Sequence, residues 1–151
     1  MSLKTDYKDD IYEGSRRYRI TPNEDGTSTI TDATTYTQKG DKFGQNDMNA
    51  ITTEINKMQR TIVINLPAAG WSAAAPYTQR VAVPGILATD NPELHPYTPK
   101  DITADELKQR QKFTGMITDG DTEDGYATFY CGAKKPTADF PVLLKGVSAS
   151  E

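Results

Sequence analysis

Cysteine and histidine are almost absent from this chain: Cys131 and His95 are the only ones among 151 residues. One cysteine closes no intrachain disulfide, and together with one histidine it does not supply the ligand set of a structural zinc site. Charge-relay catalysis would have to rest on His95, which stands between Leu94 and Pro96. Long apolar runs are missing too. No stretch approaches the ~20 residues that span a bilayer, and no signal-peptide core follows Met1, so the expectation is a soluble, unprocessed chain without membrane insertion. A basic excess is also lacking. Lys+Arg 17 against Asp+Glu 21 gives a net charge of -4 and a pI near 5.0, which argues against general affinity for nucleic acid or anionic lipid. The apolar fraction of 36% is below the usual ~45–50%, a reference count that also includes glycine.

What is present favours strands. The length is that of one ordinary domain and is enough to bury a core. Thr occurs 20 times and Tyr 8 times, and β-branched and aromatic residues suit a pleated, half-buried surface.

Residues 1–15 are polar, of mixed charge and without apolar periodicity, and are read as an extended arm. Arg17 to Thr21, then Pro22-Asn23-Glu24-Asp25-Gly26, then Thr27 to Thr31 read as a β-hairpin whose turn is supplied by Asp25-Gly26. A two-stranded hairpin alone is marginal in water, so this one needs something to pack on. Thr34 to Phe43 is polar and turn-rich. A helix is expected from Asn46 to Gln59, with Asn46 as N-cap and Asp47 in the positive first turn. Its apolar residues Met48, Ile51, Ile55 and Met58 are spaced 3, 4, 3. That is an a/d seam, narrower than the stripe of a core-facing helix. It suits either a short self-associating bundle of three chains or a helix lying on its own domain.

From Thr61 the pattern changes. Thr61–Leu66 and Tyr77–Val83 read as strands, and the proline-rich stretch 86–101 as loop or edge structure. Thr103 and Glu106 form a capping box with Ile102 and Leu107 as hydrophobic staple, predicting a helix to about Lys112. Phe113–Ile117, Ala127–Cys131 and Phe140–Leu144 are expected as strands, with Asp119–Gly125 as a loop. The expected fold is mainly β: an N-terminal arm and hairpin, a short coiled-coil-like helix, then a small antiparallel β-sandwich with one inserted helix. The expected division is 1–60 as anchor and oligomerisation segment and 61–151 as head.

No catalytic set survives inspection, and no enzyme, cofactor or metal site is expected. Asp119-Gly120-Asp121-Thr122-Glu123-Asp124-Gly125 looks like a calcium loop, but the sixth and twelfth positions hold Asp124 and Tyr130 where glycine and glutamate are needed. An acidic hairpin turn is the simpler reading. Asp105 and Glu106 point in different directions on a helix. Gly40-Asp41-Lys42-Phe43-Gly44 lacks the phosphate-loop spacing. Cys131 is read as a small buried apolar residue, and Trp71, Tyr126 and Phe129 as sheet packing. Tyr97, with His95, remains open as a contact residue because flat rings give large contact area at low entropy cost.

A resemblance adds to this reading. Ile64-Asn65-Leu66, Ala69-Gly70-Trp71-Ser72, Tyr77-Thr78-Gln79-Arg80-Val81-Ala82-Val83-Pro84-Gly85-Ile86 and Thr89-Asp90-Asn91-Pro92 resemble a small β-domain of phage structural proteins. Ala127–Cys131 and Pro141–Leu144 match its last two strands. Tyr18-Arg19-Ile20, Asp25-Gly26-Thr27 and Thr35 to Ala50 resemble the anchor segment that precedes such domains. The resemblance covers nearly the whole chain and implies a non-enzymatic virion appendage, of tail-fibre, baseplate or collar/head-fibre type, from a tailed phage or prophage of Gram-positive hosts. It brings no catalytic residues. The helix at Thr103–Lys112 is longer than the corresponding family loop. The function so implied is a trimeric fibre or appendage on the virion, assembled in the bacterial host cytoplasm. Met48, Ile51, Ile55 and Met58 would oligomerise it, Tyr7, Tyr12, Tyr18 and Ile20 would anchor it to other virion structural proteins, and Tyr97 and His95 are candidates for touching host cell-surface carbohydrate. The alternatives are a monomeric capsid or tail decoration or adaptor protein, and an envelope-polymer hydrolase drawing carboxylates from Asp119, Asp121, Glu123 and Asp124.

Overall fold

A computed structural model describes residues 3–148. The chain is mainly β, with two α-helices and small antiparallel sheets. Its contacts fall into two compact units, 1–51 and 52–151.

In the first unit, β1 (Ile11–Tyr12) pairs antiparallel with β4 (Tyr36–Gln38), and β2 (Tyr18–Pro22) with β3 (Ser28–Asp32). The hairpin turns where expected. Gly26 takes φ 82°, a left-handed conformation that costs glycine little. The Asp25 carboxylate accepts from the Thr27 amide at 3.0 Å and the Thr27 hydroxyl at 2.6 Å. Helix α1 runs Gln45–Gln59, one residue ahead of the expected start, and the Asp47 carboxylate accepts from the Gly44 amide at 2.8 Å.

The boundary between the units falls inside α1, not after residue 60. The cause is polar. The second half of the helix belongs with the head through Lys57, whose ammonium lies 2.8 Å from the Asp90 carboxylate. Just beyond it, Arg60 donates to the Ser148 and Pro84 carbonyls and accepts from the Gly146 amide at 2.9 Å.

The head is a small sandwich of two three-stranded antiparallel sheets. One has the order β5 (Thr61–Leu66), β10 (Phe140–Lys145), β7 (Glu93–Pro96). The other has the order β6 (Tyr77–Ala82), β9 (Tyr126–Cys131), β8 (Asp119–Glu123). Alternation places Ile64, Leu66, Phe140, Val142 and Leu144 of the first sheet, and Ala127, Phe129 and Cys131 of the second, in one buried core with Trp71, Val83, Ile86, Phe113 and Val147. Helix α2 (Ala104–Thr114) opens with the expected capping box: Glu106 N–H donates to the Thr103 hydroxyl, and the Thr103 amide donates to the Glu106 carboxylate.

Three expectations are corrected here. Phe113–Ile117 is not a strand: α2 continues to Thr114, which carries Phe113 against Phe140 with ring centroids 5.3 Å apart. Asp119–Glu123 is not a loop but the outer strand β8, laddered on β9 from Asp119↔Tyr130 to Glu123↔Tyr126, so the turn shrinks to Asp124-Gly125. Tyr126 does not pack inside; it faces outward, 39% exposed, with the Arg80 guanidinium 3.4 Å from its ring centroid.

Candidate functional site

From Leu3 to Arg60 no residue is buried; the first buried side chain along the described chain is Ile64. Among the described residues, nine of the twelve large hydrophobic side chains that stand exposed fall from Tyr7 to Met58. Fixing a backbone costs about 1–2 kcal/mol per residue in conformational entropy, and apolar burial is the main force that offsets it. Within the single chain, residues 3–60 bury little apolar surface to offset that cost.

Polar contacts and edge-on aromatic pairs give the arm its path. Tyr7 packs edge-on against Phe43, with centroids 5.6 Å apart, and donates to the Asp47 carboxylate at 2.5 Å. That bond pushes the Tyr7 phenol up to about 12 and holds Asp47 below its ordinary value. Lys4 lies 2.6 Å from Asp41. The Asp41 amide donates to the Lys8 carbonyl at 2.9 Å, and the Lys8 amide returns a bond to the Asp41 carboxylate. Tyr12 packs edge-on against Tyr36, whose hydroxyl donates to Asp32; the Thr34 and Tyr36 hydroxyls together lower Asp32 to about 2. Residues 3–15 thus lie along residues 36–47 of their own chain.

Gly40 marks the closest approach. A Cβ there would sit 2.7 Å from the Asp10 amide nitrogen and 2.8 Å from the Lys8 carbonyl oxygen. Both are backbone atoms and cannot swing aside. Gly40→Ala is expected to lift the arm from residues 36–44. Limited proteolysis between Lys4 and Arg16 should then run several-fold faster than in the parent chain, with the head untouched.

The expected anchoring residues divide into two pairs. Tyr7 and Tyr12 pack against other aromatic rings of the chain, Tyr7 with 40% of its surface still uncovered, whereas Tyr18 and Ile20 have no such packing. Both strands of the hairpin are exposed along their whole length, and Ile20 faces Ile30 across the ladder with 66% and 67% of their surfaces uncovered. Tyr18 is 57% exposed on the same face.

The helix seam divides as well. Met48, Ile55 and Met58 are exposed, and no residue of α1 is buried. Ile51 is half-buried and lines a crevice with Leu3, Lys4, Tyr7, Asn46, Asp47 and Ala50. The face of α1 that its own chain half-covers carries Asp47, Ala50, Ile51, Glu54 and Lys57. Ile51 is shared between that face and the apolar seam, whereas Met48, Ile55 and Met58 lie outside it.

His95 and Tyr97 are not brought together as a contact patch. His95 is on the edge strand β7, inside the stretch expected as loop or edge structure, and its ring bonds Glu93 at 3.1 Å. Tyr97 is half-buried beside α2: Arg110 donates to its carbonyl at 2.9 Å, with the guanidinium 5.8 Å from its ring centroid. The acidic residues form a row along one strand, and Asp119 and Asp121 stand at the rim of a cleft. Asp119, Asp121 and Glu123 alternate along β8; Asp121 accepts from the Tyr130 hydroxyl at 2.7 Å, Glu123 pairs with Arg80 at 3.0 Å, and Asp124 accepts from the Ala88 amide at 2.9 Å.

Sequence reasoning gave no role to Asp90, a buried carboxylate of the head. Its carboxylate accepts from the Ser148 amide (2.8 Å), the Ser148 hydroxyl (2.7 Å) and the Leu87 amide (3.1 Å), and pairs with Lys57. Burial alone would raise its pKa; the Lys57 ammonium and the Ser148 and Leu87 donors outweigh that and hold it below the ordinary carboxylate value. This cluster joins the α1 end, the 87–90 turn and the C-terminal segment.

Among the described residues no helix is long and apolar enough to cross a membrane. Comparison with protein-family models, with curated proteins and with solved structures returns no match.

Proposed function

We propose that this chain is a structural protein of a tailed-phage virion or phage-like particle. In this reading it forms a trimeric fibre or appendage, assembled in the bacterial host cytoplasm. Residues 1–60 bind one another and neighbouring virion proteins, and the sandwich head is carried outward, where it meets the host surface. The virion assignment rests on the resemblance of the strand and anchor motifs. The assembly assignment rests on one observation: from Leu3 to Arg60 nothing is buried, while Met48, Ile55 and Met58 line one exposed stripe of α1. Apolar residues at 3–4 spacing with no cover in their own chain are what a short parallel bundle buries on association. The seam is under two full heptads, so the hairpin has to contribute as well.

Ile55→Asp with Met58→Asp tests the bundle. Both side chains are exposed in the single chain, so the pair leaves the folded head intact, whereas Ile51→Asp would also disturb the arm. Three copies of two buried charges would converge on one seam, and burying unpaired charge is costly. The expected result is a monomer by light scattering with the circular dichroism of the head unchanged; an oligomer of unaltered mass would remove the bundle from the account. A decoration or adaptor protein, the alternative, is monomeric before and after the substitution.

A further inference from the structure

Each sheet of the head ends in an unpaired outer strand, and beside β8 that edge is sharply acidic. Asp119, Asp121 and Glu123 alternate on its outward face, and Asp124 follows. Among the described residues neither Asp119 nor Asp121 has a cation within ion-pair distance. The inward positions of the same strand are Gly120 and Thr122. Beside them a cleft of about 470 Å³ opens over Leu94, Ile117, Phe129 and Leu144. Glycine there leaves the mouth open: a Cβ at Gly120 would meet only the Thr128 carbonyl at 3.4 Å and the Phe129 ring at 4.0 Å.

The hairpin carries the complementary pattern. Arg19 and Thr21 occupy one face of its first strand, with Arg17 just before it continuing the same alternation, and Tyr18, Ile20 and Pro22 the other. Neither Arg17 nor Arg19 has an ion-pair partner among the described residues. Arg17 C=O accepts from the Ala33 amide at 2.8 Å, and the Asn23 amide donates to Thr27 C=O at 2.8 Å. The odd-numbered residues therefore bond β3, and the N–H and C=O of Tyr18 and Ile20 point to the free edge.

Building on the assembly reading above, we propose that strand β2 of one copy adds to the edge of β8 in a second copy, extending the β6-β9-β8 sheet by the two strands of the hairpin. Arg17 and Arg19 then lie on the Asp119, Asp121 and Glu123 face, where Glu123 is already shared with Arg80. Tyr18 and Ile20 fall on the inward face, where an aromatic ring over an edge glycine fills the cleft mouth. Unpaired edges invite strand addition, and charge decides which strand is admitted. Two β8 edges repel each other, as do two arginine-bearing β2 edges, so the unlike pairing is selected. A head-to-tail contact closes into a ring of three where its rotation is one third of a turn, the rotation that a threefold helix bundle would impose.

The test is amide hydrogen exchange on the full chain, read at Tyr18 and Ile20 and along Asp119–Glu123, with solution mass measured on the same samples. Wild type at assembling concentration should protect both segments. Arg17→Glu with Arg19→Glu should lower that protection by at least about tenfold, the order expected for close charge pairs across an interface. Adding Asp119→Lys and Asp121→Lys to the same chain should restore it. An oligomer whose hairpin amides exchange freely overturns strand addition while leaving the helix bundle standing. Protection in a monomer, independent of concentration, overturns the second copy as occupant. A monomer with free hairpin amides at every concentration overturns both this proposal and the assembly reading.

Discussion

Asp90→Ala should cost the head about 3–5 kcal/mol, the range found when one partner of a buried, hydrogen-bonded charge cluster is removed. The side chain is fully enclosed, and its loss strands the Ser148 and Leu87 amides and the Ser148 hydroxyl without acceptors. Buried donors left unpaired carry their full desolvation cost. For a unit of roughly this size the loss corresponds to a fall of roughly 15 °C or more in melting temperature, measurable by calorimetry. Asp90→Asn keeps the shape and should lose less. Lys57 is 23% exposed and can turn to solvent once the carboxylate is gone. The same cluster sets an acid dependence. The pKa of Asp90 is depressed in the folded chain, so its contribution is complete above the ordinary carboxylate value and disappears as pH falls through the depressed one. Wild-type stability should therefore decline on acidification below about pH 4, and Asp90→Asn should flatten that decline. An unchanged slope would show that Asp90 is not the group responsible.

Phe140→Ala should cost a similar amount, about 3–5 kcal/mol. The ring is 1% exposed and stands edge-on to Phe113, which α2 delivers from its last turn. Phe113→Ala should be severe as well. In a double-mutant cycle the two should couple by about 0.5–1.5 kcal/mol, the excess of an aromatic pair over its area. Independent effects by denaturant titration would mean that α2 is not held to the sheet through this pair.

The parts of the fold that could be read from sequence are those whose signals are local. Thr103 and Glu106 announce α2 because both halves of the capping box lie within one turn. β5, β9 and β10 show because their inward residues alternate with polar or half-covered ones. β8 does not show. Asp119, Gly120 and Asp121 have little intrinsic preference for strand, and the strand exists because β9, on the far side of a two-residue turn, offers a ladder. Phe113 to Ile117 misleads for the converse reason: a short apolar run has no period, and the decisive partner, Phe140, is remote in sequence.

The candidate site divides the same way. The seam of α1 and the uncovered hairpin are visible as patterns, since exposure of an apolar stripe follows from its narrowness. The contacts of the arm are not legible in the sequence, because Tyr7 and Tyr12 find Phe43 and Tyr36 across a stretch with no apolar period. Asp90 is silent because its partners come from positions 57, 87 and 148. Arg17 and Arg19 gain meaning only when the register of β2 shows which edge is free.

The central claim is that residues 3–60 are completed by other copies of the chain. Its most direct test is the solution mass of the purified protein by light scattering at two concentrations. The account predicts three times the 16.6 kDa of one chain, unchanged on dilution. A mass of one chain at both concentrations would contradict it.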